Sequence, residues 1–269
     1  MQLSLIVTTY NRPDALAAVL ESVRRQRRLP DETLVVDDGS DERTTAVVRR
    51  YATVIPTLKH FWQEHDGFRP SRIRNWGIAE AANEYLALID GDMVLHPQFV
   101  ADHLNNARSG CYLQGVRVPL TERATESYLR RPFAVRPWHI DGAAKMKYAV
   151  HSERLARWLG TTPHGGLKRI HSCNQSFWRE DLLDVNGFDE RYNNCGGEDR
   201  DLCARLGSIG VLQHRLRFTA LAYHLYHPAG QNWTKVAQLP RASERAVRGI
   251  AELHEPAARV ALPGVRRAA

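Results

Sequence analysis

The sequence predicts an α/β fold, a mostly parallel sheet flanked by helices. Three observations lead there. Short strand-like runs are apolar almost throughout, as in strands covered on both faces. Segments with helical spacing of apolar residues separate them. Polar clusters rich in aspartate directly follow three of the runs.

Leu3 to Thr8 is the first such run, β-branched and nearly unbroken. Pro13 opens a helix, because a proline at the first helical position loses no hydrogen bond. Leu16, Val19, Leu20 and Val23 then recur at helical spacing. Thr33 to Val36 reads as the second strand, and Asp37-Asp38-Gly39-Ser40 as the turn after it. Ser40 or Asp41 caps a helix through Tyr51. Thr53 to Trp62 is expected to be a third strand, Ser71 to Ala82 a helix and Tyr85 to Ile89 a fourth strand. This β-α-β-α order calls for parallel pairing with right-handed crossovers.

The second half is less regular. Gly110 to Val118 reads as a strand. Residues 119 to 170 are rich in Arg, Trp, His and Gly with weak periodicity, and acceptor-binding loops are expected there. Ile170 to Trp178, Gly196 to Leu206 and Phe218 to His227 read as ordered elements. Residues 256 to 269 are small and basic and are expected to fray as a flexible tail. No repeat or low-complexity linker interrupts the chain. The simplest division is a single domain over residues 1 to 255, with a donor-binding half to about residue 118 and an acceptor-binding, catalytic half after it.

Composition narrows the function classes. Of 269 residues, 43% are hydrophobic and 25% charged, ordinary for a globular protein. No apolar run reaches the length of a membrane span, and the first residues lack the pattern of a signal peptide. A cytoplasmic protein is therefore expected, with the four cysteines reduced. The net charge of +7 favours anionic partners. Arg24, Arg25, Arg27 and Arg28, and Arg130, Arg131 and Arg136, form basic clusters without interleaved aromatics, so a solvated face is preferred to nucleic-acid binding.

The chemistry concentrates at strand ends, where open parallel sheets bind ligands. Thr9-Tyr10-Asn11-Arg12, Asp37-Asp38-Gly39-Ser40 and Asp90-Gly91-Asp92 follow successive strands. Singly each reads as a turn; together they point to a site, because folding does not require acids there. Asp90 and Asp92, two apart, supply hard oxygens suited to Mg²⁺ or Mn²⁺ bridging a diphosphate, and Gly91 permits close approach. In Gly196-Gly197-Glu198-Asp199-Arg200-Asp201-Leu202 the acids open a helix and suit its dipole. The functional reading gives one of these carboxylates the role of general base. His224 and His227 stand four residues or fewer apart, and imidazole beside the aspartates favours Mn²⁺.

These motifs resemble the family 2 glycosyltransferases of the GT-A, Rossmann-like fold, over roughly residues 3 to 228. The resemblance implies donor contacts from Thr8, Tyr10 and Arg12 of the first segment. It implies a nucleobase contact at Asp37, and a donor-side role for Arg74 in Arg72-Ile73-Arg74-Asn75-Trp76-Gly77. It sets Asp90 and Gly91 near the ribose and diphosphate, and Asp92 on the metal. Asn186-Gly187-Phe188-Asp189-Glu190 followed by the Glu198-Asp199 segment is similar to galactosyl- and N-acetylgalactosaminyl-transferases. That similarity implies Asp199 as base of an inverting reaction, Glu198 as an acceptor contact, and a later histidine, His224 or His227, as a metal ligand.

The implied enzyme moves a hexose or N-acetylhexosamine from a nucleotide sugar, UDP-linked by default, onto a saccharide or glycolipid, with Mn²⁺ or Mg²⁺ as cofactor. Bacterial polysaccharide or glycoconjugate synthesis, peripheral to the cytoplasmic membrane face, is the expected setting. Trp178, with Trp138 and Tyr192, is a candidate sugar platform. Two rivals are a nucleotidyltransferase and a non-catalytic nucleotide-sugar-binding protein. Thr-Tyr-Asn-Arg-Pro after the first strand lacks the Gly-rich loop of the former, and retention of all four acids weighs against the latter.

Overall fold

The structure, a computed structural model, describes residues 1–130, 149–159, 163–164, 170, 172–192, 197–228, 245–253 and 257–262. Its strands and helices follow in chain order. The first part runs β1 (Leu3–Thr9), α1 (Pro13–Arg24), β2 (Glu32–Asp37), α2 (Glu42–Ala52), β3 (Leu58–Trp62), α3 (Pro70–Glu80) and β4 (Tyr85–Asp90). Next come β5 (Met93–Leu95), α4 (Phe99–Asn106), β6 (Cys111–Gln114), β7 (Val116–Pro119), α5 (Glu122–Arg130), α6 (Glu153–Trp158) and β8 (Pro163–His164). The remainder is β9 (Asn174–Trp178), α7 (Arg179–Asp184), α8 (Glu198–Ser208), β10 (Leu212–Arg215), β11 (Leu221–His224) and β12 (Ala258–Arg259).

A nine-stranded sheet has the order β12-β3-β2-β1-β4-β9-β6-β10-β8. Strands β1, β2, β3, β4, β6 and β10 run one way, and β8, β9 and β12 run against them. The expected mostly parallel α/β sheet is thus present. Alternate residues of each inner strand feed opposite cores. Leu3, Leu5 and Val7 pack with α1, α2 and α4, while Ile6, Leu34, Val36 and Leu88 pack with α3 and α8. Burial on both faces explains the unbroken apolar runs.

A separate three-stranded sheet, β5-β11-β7, stands on α1 and α5 through Val94, Val118, Tyr128 and Tyr223. Its strand β11 runs antiparallel to β5 and parallel to β7. This small sheet carries the histidines to the end of β4, because His224 pairs with Met93, just past Asp92.

Several boundaries differ from expectation. The third strand starts only at Leu58, since Pro56 and its neighbours form a turn before it. The strand expected over 110–118 is two strands, β6 and β7, broken at Gly115, where the Asn174 side chain fills the place of a β-carbon. Within 119–170 the described residues include two helices, α5 and α6. Within the tail expected to fray from residue 256, the described residues 257–262 include β12, antiparallel to β3 with Ala258 opposite Trp62. Asp41, not Ser40, caps α2 by accepting the Arg43 N–H. Cys111, Cys173 and Cys203 are buried and form no disulfide among the described residues. Among the described residues no helix is long and apolar enough to cross a membrane.

Candidate active site

Parallel pairing of β1 with β4 sets Thr8 opposite Asp90. The Thr8 hydroxyl donates to Asp90 Oδ1 at 3.0 Å. One residue on, the Gly91 N–H donates to the Thr8 carbonyl at 2.6 Å. A β-carbon at Gly91 would lie 2.8 Å from that carbonyl, so the chain leaving β4 presses on β1 too closely for any other residue. The glycine is required by the protein's own backbone, whatever binds later.

Asp92 comes out of this turn with little exposure, 9%. Its Oδ2 accepts from Arg12 Nη1 at 3.1 Å. Oδ1 is buried and has no hydrogen-bond partner among the described residues. His224 at the end of β11 and His227 beyond it both bring Nε2 to 3.5 Å from Asp92 Oδ2. The three side chains offer ligand atoms within 4.8 Å of one another. The resemblance favours His224 over His227; the structure brings both to Asp92 equally.

The electrostatics suit a cation. Burial, with the charge of Asp90 added, pushes the Asp92 carboxyl up to about 6, against the pull of Arg12, His227 and Arg117. Burial, then Arg117 and His227, push His224 down to about 3, so its imidazole is neutral and free to ligate. One carboxylate with an orphaned oxygen and two imidazoles form a donor set fitted to Mn²⁺ or a similar divalent ion.

Arg74 ties this corner to the second half of the chain. Proline at the start of α3 and a buried helix face carry it inward, 6% exposed. It donates to Asp90 Oδ1 at 3.3 Å and to Glu198 Oε1 at 3.2 Å, and lies 3.9 Å from Asp199 Oδ1. Burial pulls its pKa down, but Asp90, Asp199 and Glu198 more than reverse that and hold it charged. Glu198 is pushed up by burial, with Asp199 adding to it and Arg74 opposing.

Asp199 stands in the first turn of α8, behind Gly197, whose φ of 119° only glycine adopts readily. Asp199 Oδ2 accepts the Ser172 N–H at 3.0 Å, whereas Oδ1 is buried and has no hydrogen-bond partner among the described residues. The third acid of the segment differs: Asp201 pairs with Arg205, which donates to the Val185 and Gly187 carbonyls. Asp201 and Arg205 therefore fasten α8 to the loop after α7.

At the other side Tyr10 is exposed and stacks on His65, centroids 4.5 Å apart at 14°. Asp37 is fully buried, accepting from the Ser40 N–H at 2.8 Å with His60 Nε2 3.3 Å away. It holds the loop that carries Tyr10's neighbourhood rather than an open face. His65, Ser172 and Arg117 had no signal in the sequence reading, because each joins the site only through long-range packing.

Trp178 is not brought to this site. It ends β9 opposite Tyr85, at the start of β4, and Asp90 lies at the other end of that strand. Five residues of strand span about 16 Å. Its indole donates to the Arg108 carbonyl and its edge meets Tyr85, so packing explains the tryptophan. Tyr192 caps the neighbourhood of α3 by accepting from Ser71 with its carbonyl. Trp138 lies outside the described residues. A second histidine-aspartate group, His96, Asp102 and His151, is structural. Asp102 already accepts from the Ala220 N–H and faces His151, and the two imidazoles stack at 4.3 Å.

Comparison with known proteins decides the lineage. The model of glycosyl transferase family 2 matches residues 4–159, more than half of the chain. The chain belongs to glycosyl transferase family 2. Residues 161–228 match a second model, described as the N-terminal domain of galactosyltransferase. Together the two matches span every acid and both histidines of the site.

Among curated members, a validoxylamine A glucosyltransferase of Streptomyces hygroscopicus subsp. limoneus is 30% identical over 78% of this chain and 48% of its own length. A hyaluronan synthase of Pasteurella multocida is 27% identical over 86% of this chain and 25% of its own. The chain thus spans about half, or less, of the length of these relatives. Among solved structures, S. aureus TarS 1-349 in complex with UDP-GlcNAc is 18% identical with a TM-score of 0.59, covering 86% of this chain and 60% of that one. A mannosyltransferase from Pyrobaculum calidifontis in complex with GDP-Man and Mn²⁺ is 18% identical with a TM-score of 0.54, over 83% and 56%. These two share the GT-A fold with the present family 2 chain.

Proposed function

We propose that the protein is an inverting, metal-dependent glycosyltransferase. It moves a hexose or N-acetylhexosamine from a nucleoside-diphosphate sugar, UDP-linked in the first instance, to a hydroxyl of a saccharide or glycolipid. The observation that carries the reading is the meeting of Asp92, His224 and His227 beside a single arginine, Arg74, that links Asp90 to Glu198 and Asp199. Metal corner and candidate base are thereby fixed relative to each other.

Asp92, His224 and His227 would hold Mn²⁺ or Mg²⁺, which supplies neutralisation of the charge developing on the leaving diphosphate. Tyr10 and Arg12 face the nucleotide, and Asp90 its ribose. Asp199 accepts the proton of the acceptor hydroxyl through Oδ1 while the Ser172 N–H keeps Oδ2 in place. The hydroxyl oxygen bonds to the anomeric carbon as the bond to the diphosphate oxygen breaks, which inverts that carbon. Glu198 contacts the acceptor. Arg74 keeps both acids oriented.

The test is binding and turnover across UDP- and GDP-sugars with Mn²⁺, Mg²⁺ or chelator. Metal-dependent binding of one donor, lost in Asp92→Ala, and turnover with an acceptor panel are expected. Absence of binding to every nucleotide sugar under every metal condition removes the reading. Tight binding without turnover on any acceptor would instead favour a binding protein.

A further inference from the structure

Arg117 lies on β7, paired with Ala222 of β11. Because alternate residues share a face, this register sets Arg117 diagonally beside His224. Val118 and Tyr223, next along the two strands, point the other way into the packing on α1 and α5. The Arg117 side chain is half-buried, and its Nε is enclosed without a hydrogen-bond partner among the described residues. Among the described residues no carboxylate lies within ion-pair distance of it. Its charge nonetheless reaches both metal-corner groups, lowering the proton affinity of His224 and Asp92.

Before a cation arrives the other two guanidiniums of the pocket are engaged, so Arg117 is the one already lacking a carboxylate at ion-pair distance among the described residues. Arg12 holds Asp92, and Arg74 holds Asp90 and Glu198. A cation enclosed beside a cation-binding corner is unfavourable unless an anion joins it. The ligand must therefore present negative charge to the metal corner and to β7 at once. A diphosphate does so, and a guanidinium matches phosphate oxygens with two parallel donors where an ammonium offers a point charge.

We propose that Arg117 binds the diphosphate of the donor and makes the site selective for nucleoside diphosphates over monophosphates. This rests on the transferase reading above. The charge it adds is directed at the leaving group, since on that reading the loop after β1 meets the nucleotide and Asp90 of β4 its ribose.

The experiment is calorimetric titration of the full chain, with Mn²⁺ present, using UDP, GDP, UMP and GMP. Mn²⁺ alone is titrated in parallel, and wild type is compared with Arg117→Gln and Arg117→Lys. Wild type should bind one of the diphosphates. Arg117→Gln should weaken that diphosphate at least tenfold, leave its monophosphate within about threefold, and leave Mn²⁺ binding undiminished. Arg117→Lys should recover part of the loss. Equal weakening of monophosphate, diphosphate and Mn²⁺ in both variants would mark Arg117 as structural and overturn the proposal. So would unchanged diphosphate binding in Arg117→Gln. Failure of wild type to bind either diphosphate would instead bring down the transferase reading, and this inference with it.

Discussion

Replacing Arg12 by glutamine tests how the metal corner is held before a cation arrives. Arg12 Nη1 sits 3.1 Å from Asp92 Oδ2, the oxygen that both histidines also approach. A divalent ion that uses this oxygen must displace the guanidinium. At 3.1 Å the gross attraction is about 5 kcal/mol for an effective dielectric of about 20. The Arg12 side chain is 30% exposed, so water and lost side-chain freedom reduce the net value to about 1–2 kcal/mol. Removing the competitor should tighten Mn²⁺ binding by that amount, about 5- to 30-fold. The sign reverses for the donor. Once displaced, Arg12 is free to meet the nucleotide, and its loss should weaken diphosphate binding in the presence of metal. Electron paramagnetic resonance titration of free Mn²⁺, without nucleotide, reads the first effect directly. If Arg12→Gln melts like wild type yet binds Mn²⁺ no more tightly, Arg12 does not compete for Asp92 and the argument fails.

Three other outcomes follow from the same geometry. Asp199→Asn keeps the Ser172 contact but cannot take a proton, so turnover should fall at least a hundredfold while donor affinity stays within about threefold; retention of most activity would reassign the base. Asp92→Asn should stabilise the metal-free protein. The carboxyl titrates at about 6 when folded and near 3.9 when unfolded, so the wild type loses stability as pH rises through that window and carries the full cost above it. A gain of about 3 kcal/mol at pH 8 that is largely gone near pH 4, in denaturant melts with chelator, is the expected pattern; equal stability at pH 8 contradicts it. Finally, Mn²⁺ affinity in the absence of nucleotide should fall about tenfold per pH unit below 6, as protons occupy Asp92. A flat profile from pH 5 to 8 would show that Asp92 is not a ligand.

The first half of the fold was legible because local pattern and long-range packing agree there. Leu3 to Thr8 and Tyr85 to Ile89 are apolar on both faces, and their sheet is covered on both faces. The acids after these strands were legible for the same reason: a charged turn next to a buried strand stands out. The short strands β5, β7 and β11 were harder to bound, since three or four residues carry little periodicity. Their pairing brings His224 and Arg117 to Asp92, and no spacing in the sequence encodes it. Trp178 misled for a related reason. A tryptophan at a strand end suits a sugar platform, but β9 runs antiparallel to β4 and delivers it to the far end.

Charge explains why these pieces belong together. Asp90, Asp92, Glu198 and Asp199 face Arg12, Arg74 and Arg117, with His224 held neutral. Four carboxylates against three guanidiniums leave the pocket short of positive charge when all are ionised, and burial makes that shortage costly. Folding alone would select against it, as the raised Asp92 carboxyl registers. A divalent cation reverses the balance to net positive, and an anionic ligand then becomes the species that completes it. On the proposed reading the charges would cancel in order, cation first and diphosphate second. Arg12 pairs with Asp92 until then, and Arg117 is left, on that reading, for the anion.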